Sequence, residues 1–182
     1  MKQVYVFLAD GFEEVEGLTV VDLLRRAEIE VCTVSITGEK LIHGAHEIDV
    51  IADKLFEECD YENADMLVLP GGMPGTLHLK EYEPLEVLLK RTYQEEKYIA
   101  AICAAPSILG NLGMLQGRNA TSYPTVVQEL SGANISTDEV VMDGHIITSR
   151  GLGTAIAFSL TLIEILQGTE VSRQIAKATL YD

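Results

Sequence analysis

Apolar runs of strand length alternate with amphipathic helical stretches along most of this chain, and no other feature restricts its fold as strongly. The runs 4–8, 31–36, 66–69 and 98–102 each end in small or turn-forming residues, as buried strands do. Helical stripes lie between and after them: Val20, Leu23, Leu24 and Ala27, then Leu85, Leu88, Leu89 and Thr92, then Leu152, Ala155, Ile156, Leu160 and Ile163. Alternation of this kind predicts an α/β fold, a doubly wound and mainly parallel sheet flanked by helices. Shorter, more polar strands at 40–42, 46–51, 139–142 and 145–148 are expected to form hairpins decorating that core, the last turning at Asp143-Gly144. With no internal repeat and no Pro- or Ser-rich linker, residues 1–182 read as a single domain.

Charge narrows the partners. Asp and Glu number 28 against 13 Lys and Arg, and the net charge of -15 repels phosphate backbones and anionic lipid surfaces. Neither nucleic acid nor membrane is therefore an expected partner. The apolar run 4–9 is too brief for the core of a secretory signal, and the uncharged stretch 151–163 is too short to span a bilayer, so a cytoplasmic protein is expected. The three cysteines, Cys32, Cys59 and Cys103, show no CxxC spacing and suggest neither a disulfide framework nor a zinc knuckle. His43 and His46 lie near Glu47 without a second ligand cluster, and read as solvated loop histidines; no metal is expected.

In an open α/β sheet the site forms where loops leave the carboxyl ends of the strands. Here those loops are 10–16, 70–75, 103–106 and 149–154. Cys103 follows a strand and precedes Pro106, a residue favoured in a first helical turn, which makes a strand-to-helix elbow. Helix amides and dipole at such an elbow predict a lowered thiol pKa and a nucleophilic thiolate. The competing reading is a small buried hydrophobe in an alanine-rich layer. Cys32 and Cys59 lack any electropositive setting and read as inert.

Glu16 shares the helix stripe of Val20, Leu23 and Ala27, where a carboxyl is anomalous. Burial there raises its pKa and suits it to shuttle a proton or hydrogen-bond a thiolate, so Glu16→Gln is expected to raise the thiol pKa or slow proton transfer. The alternative is a first-turn acid facing water, as Glu13 and Glu14 also read. Gly71-Gly72 lacks a P-loop ending. It reads either as a plain tight turn or as an amide donor that joins Ala104 in an oxyanion hole.

The residues also resemble a family. The segments Asp10-Gly11-Phe12-Glu13-Glu14-Val15-Glu16, Arg25-Arg26, Leu69-Pro70-Gly71-Gly72, Ala100-Ala101-Ile102-Cys103-Ala104-Ala105-Pro106 and Thr148-Ser149-Arg150-Gly151 with Gly153-Thr154 are similar to those of the ThiJ/PfpI superfamily. Within it they resemble the group of the parkinsonism-associated deglycase, nearly end to end. The resemblance implies a flavodoxin-like sandwich of the class I glutamine-amidotransferase type, usually a homodimer. It implies Cys103 as nucleophile or oxidisable thiol, Glu16 as its protonated partner, Gly72 and Ala104 as amide donors, and Arg150 close to the site. It further implies a cofactor-free glyoxalase or protein deglycase that acts on small reactive aldehydes or glycated groups under oxidative or carbonyl stress.

Two positions depart from the pattern. Tyr123 stands before Pro124 where several relatives carry a histidine, and a phenol is no base near neutral pH. That weakens an amide or peptide hydrolase reading. His46 stands where some relatives have an arginine near the dimer contact. A non-catalytic redox sensor or stress chaperone, using oxidation of Cys103, is the competing function.

Overall fold

The computed structural model describes residues 2–181. Its strands are β1 (Gln3–Leu8), β2 (Glu30–Ser35), β3 (Leu41–His43), β4 (Asp49–Ile51), β5 (Lys54–Leu55), β6 (Met66–Leu69), β7 (Tyr98–Ile102), β8 (Asn119–Ala120), β9 (Asn134–Ile135), β10 (Val140–Asp143) and β11 (Ile146–Ser149). Its helices are α1 (Glu14–Arg26), α2 (Gly75–Glu81), α3 (Glu83–Gln94), α4 (Pro106–Asn111), α5 (Ala155–Gln167) and α6 (Thr169–Ala178).

Seven strands form one sheet in the order β10-β11-β7-β6-β1-β2-β5, parallel throughout except for β10 against β11. The doubly wound expectation is met. Side chains alternate across the sheet as strand geometry requires. Val4, Val6, Leu8, Met66, Val68, Ala100 and Ile102 face one buried cluster with Leu24 of α1 and Phe158 of α5. Tyr5, Phe7, Leu67, Leu69, Ile99 and Ala101 face the other, with Leu85 and Leu89 of α3 and Leu109 of α4. Both faces are covered, which is why the central strands read as continuous apolar runs rather than as alternating ones.

Two expectations need correction. The hairpin at 140–149 is not a decoration: β11 pairs in parallel with β7 and belongs to the main sheet, because Ile146 and Ile147 are each buried on one face of it. Only β3–β4 forms a separate hairpin among those expected. Leu152 and Ile156 were expected on the packed stripe of α5 but are exposed, because Leu152 lies in a 3-10 turn before the helix and its register turns Ile156 outward.

From β1 the chain crosses to β2 on one side and later returns to β6 on the other, so the topology reverses between β1 and β6. Ligand crevices in open sheets form at such a point. The loops leaving β1, β6 and β7 converge there.

Candidate active site

Cys103 sits one residue beyond β7 with φ +65°, in the left-handed region that costs a non-glycine residue roughly 1 kcal/mol. Two backbone bonds hold it there. Its N–H donates to the Ser149 carbonyl at 3.0 Å, and its carbonyl accepts from the Tyr123 N–H at 2.8 Å. The chain then turns into α4, so the side chain is presented at the strand end beside Glu16. The expected elbow is present.

Glu16 is 1 % exposed. Its Oε2 accepts from the Gly71 N–H at 3.0 Å, and its carboxyl contacts the Cys103 thiol. Burial is the largest influence and pushes the carboxyl up to about 7, with the Glu13 charge adding to the rise; the Cys103 thiol and the Gly71 amide pull the other way. The anomalous position on the helix stripe is thus a buried carboxyl of raised pKa, not a solvated acid.

The expectation of a lowered Cys103 pKa is overturned. Burial first, and then the charge and hydrogen bond of Glu16, push the thiol up to about 12, against the pull of the Ala104 and Gly72 amides. α4 has only six residues, and its end cannot outweigh a buried carboxylate in contact with the sulfur. Cys103 and Glu16 therefore form one titrating unit.

The Gly72 and Ala104 amides are directed at the Cys103 sulfur, where they oppose the rise in its pKa. Gly71 does not join them, because its amide is committed to Glu16. Its role is close approach. A Cβ on Gly71 would lie 2.6 Å from Cys103 Cβ and 2.6 Å from Glu16 Oε2. Gly71→Ala is expected to push the two catalytic candidates apart, with a loss of about 1–3 kcal/mol in denaturant-midpoint stability. Thiol reactivity should change as well; a variant of unaltered stability and reactivity contradicts this placement.

Above the thiol lies a cavity of about 310 Å³ lined by Glu13, Glu16, Gly72, Met73, Cys103, Ala104, Tyr123, Thr125, Val126 and Leu152. Tyr123 stands in the wall. Arg150 does not: its Nη1 donates to the Thr137 carbonyl at 3.4 Å, outside this lining. Sequence reasoning missed Glu13, Met73, Thr125, Val126 and Leu152 as wall residues. The position of Glu13 in the loop leaving β1 was the available signal, and its reading as a helix-end acid obscured it.

The two histidines are not simply solvated. His43 Nδ1 lies 2.7 Å from Asp49 Oδ1, and His46 Nδ1 lies 2.9 Å from Glu14 Oε2, raising the pKa of both rings. Burial alone would raise the Glu14 carboxyl, but its bonds with His46 hold it below the usual carboxylate range. Glu13, Glu14 and His46 each bring a ligand atom within 4.8 Å of the others, yet His46 Nδ1 is already taken by Glu14. Cys32 and Cys59 lie outside the cavity, and burial followed by the neighbouring Cys59 pushes Cys32 up to about 12.

Residues 2–165 match the DJ-1/PfpI family. The chain belongs to this family. Two Arabidopsis thaliana relatives, Protein DJ-1 homolog B and homolog A, are 34% and 37% identical over 98% of this chain. The chain spans only 41% and 46% of their lengths, about half. A deglycase from Pyrococcus abyssi is 34% identical over 91% of the chain and 99% of its own length. Among solved structures, oxidized DJ-1 from Toxoplasma gondii superposes with a TM-score of 0.95 at 35% identity, covering 99% of this chain and 98% of that one. As a DJ-1/PfpI member, the chain has the flavodoxin-like sandwich that its resemblance implied. Among the described residues no helix is long and apolar enough to cross a membrane.

Proposed function

We propose that this protein is a cysteine-dependent, cofactor-free glyoxalase or protein deglycase acting on methylglyoxal-type aldehydes or their early adducts, with a role in oxidative and carbonyl stress in the cytoplasm. The observation that carries the reading is a thiol in contact with a buried carboxyl of raised pKa, with the Gly72 and Ala104 amides aimed at the same sulfur. The deglycase relative from Pyrococcus abyssi supports it.

The chemistry follows from the proton the pair shares. Glu16 takes the thiol proton as Cys103 sulfur adds to the aldehyde carbon, and the resulting oxyanion sits near the two amides. Glu16 returns that proton to the oxyanion, and the freed carboxylate then carries a proton from the former aldehyde carbon to the adjacent carbonyl carbon while the hydroxyl proton passes to the former ketone oxygen, which converts the hemithioacetal to a thioester of the hydroxy acid. Water cleaves the thioester, releasing lactate and restoring the thiol. Atoms balance as methylglyoxal plus water.

Acid quenching during turnover, followed by mass analysis of Cys103 peptides, tests the path. A base-labile adduct of methylglyoxal's mass on Cys103 is expected. Adducts confined to lysine and arginine contradict it.

A competing function and an assembly each have a supporting observation. A redox-sensor role for Cys103 is the second function, favoured by the oxidized state of the Toxoplasma gondii relative; it predicts one reaction with peroxide and no aldehyde turnover. A homodimer is the proposed assembly. An apolar depression of about 500 Å³ lined by Val15, Leu18, Leu23, Ile48 and Ile156 supports it, together with an Ile51 that is 74% exposed beside it in sequence on β4. Sedimentation at micromolar concentration should give twice the chain mass.

A further inference from the structure

The cavity over Cys103 holds two carboxyl groups, Glu13 and Glu16, and among the described residues no Lys, Arg or His lines it. Glu16 is committed to the thiol and to the Gly71 amide. Glu13 makes no side-chain hydrogen bond among the described residues, its nearest partner being His46 at 3.6 Å. Its backbone N–H donates to the Gly71 carbonyl at 2.9 Å, which fixes its Cα at the cavity wall, and its side chain is only 14% exposed. The cationic group within ion-pair distance of it among the described residues is His46 Nδ1, at 3.6 Å, and that nitrogen is bonded more closely to Glu14 at 2.9 Å. The rest of the wall is neutral: Gly72, Met73, Ala104, Tyr123, Thr125, Val126 and Leu152.

We propose that Glu13 is a specificity-determining residue that makes this site favour carbonyl compounds bearing an ammonium or guanidinium group and reject anionic ones such as keto acids and phosphorylated aldehydes. The inference rests on Cys103 being the group that meets substrate. A carboxylate in a narrow, partly desolvated wall interacts more strongly with a ligand charge than a surface carboxylate does, because less water screens it. With no Lys, Arg or His among the described lining residues, an incoming anion meets two carboxyl groups, while the nearest cation, His46, lies outside the lining and is bonded to Glu14. A neutral dicarbonyl enters without selection, so charge preference adds to the proposed reaction rather than replacing it.

Methanethiosulfonates of matched size with trimethylammonium, neutral and sulfonate tails report this selection directly at the thiol. Each transfers its thioalkyl group to sulfur and releases methanesulfinate, and peptide mass analysis reads the rate at Cys103 alone. In wild-type protein the cation-to-anion rate ratio should exceed that of free glutathione by about tenfold or more. Glu13→Gln should lower the ratio by about tenfold, and Glu13→Lys should invert it. Glu170→Gln makes the same change in net charge at an exposed position on α6 and should leave the ratio unchanged.

A wild-type ratio no higher than that of glutathione overturns the proposal without any variant. So does an equal fall in Glu13→Gln and Glu170→Gln, which would assign selection to net charge. A Cys103 that none of the three reagents modifies overturns both this proposal and the function it rests on. Because the reagents need only the thiol, absent lactate formation with an intact charge ratio sinks the glyoxalase reading and leaves this one standing.

Discussion

Cys103→Ala is expected to lower methylglyoxal turnover by at least about a thousandfold, because the covalent step then has no nucleophile and the amides of Gly72 and Ala104 have no adduct to hold. The fold should survive. The replacement is smaller and apolar, and its backbone keeps the φ of +65° imposed by the bonds to Ser149 and Tyr123, so stability should stay within about 1 kcal/mol of wild type. A second consequence separates loss of chemistry from loss of structure. The thiol's contact lowers the Glu16 pKa, so removing it should move that carboxyl above its present value of about 7. Carbon-detected NMR of the Glu16 carboxyl across the pH range reads this, and an unmoved titration contradicts the pairing.

Glu16→Gln should lower activity and raise stability at the same time. In the folded protein the carboxyl titrates at about 7 instead of its ordinary 4.5, so folding disfavours its ionised form. The contribution of this group to stability is fully present below pH 4.5 and is lost as pH rises through 7. At pH 8 wild-type protein therefore carries a cost of about 3 kcal/mol that a neutral glutamine escapes, and the variant should melt on the order of 5–10 °C higher. Glutamine Oε1 can still accept from Gly71 N–H. At pH 4 the two proteins should melt together.

The thiol tells the same story from the other side. The Glu16 charge is one cause of the raised Cys103 pKa, so Glu16→Gln should bring the thiol below 12, the reverse of what the sequence suggested. Turnover should nevertheless fall about 10²–10⁴-fold, the usual range for a lost general acid or base. The pH at which Cys103 alkylation accelerates should therefore lie lower in the variant than in wild-type protein. Equal melting at pH 8 and an unchanged alkylation profile would remove Glu16 from the unit.

The sheet core was legible because its signal is local. The runs 66–69 and 98–102 coincide with β6 and β7, since strands covered on both faces must be apolar throughout. Cys103 and Glu16 were legible for a related reason: each breaks a pattern at the end of a strand or on a helix stripe. The thiol's proton affinity was not, because it depends on how deeply sulfur and carboxyl are buried against each other, a distance set by Gly71 from a third segment. The guanidinium of Arg150 and the wall position of Glu13 escaped for the same cause. The placement of loop residues is decided by contacts between segments far apart in sequence, such as the Arg150 guanidinium with the Thr137 carbonyl and the Glu13 N–H with the Gly71 carbonyl. The β10–β11 hairpin was misjudged because polar edge residues hid the buried pair Ile146 and Ile147.

The most direct test of Cys103 and Glu16 as one catalytic unit is the number of lactate equivalents formed per Cys103 from methylglyoxal, with metal and glutathione removed. Many equivalents from wild-type protein, with none above background from Cys103→Ala, is the predicted result. One equivalent or fewer per chain, beside a Cys103 that peroxide oxidises, would contradict the glyoxalase and leave the same pair serving redox chemistry.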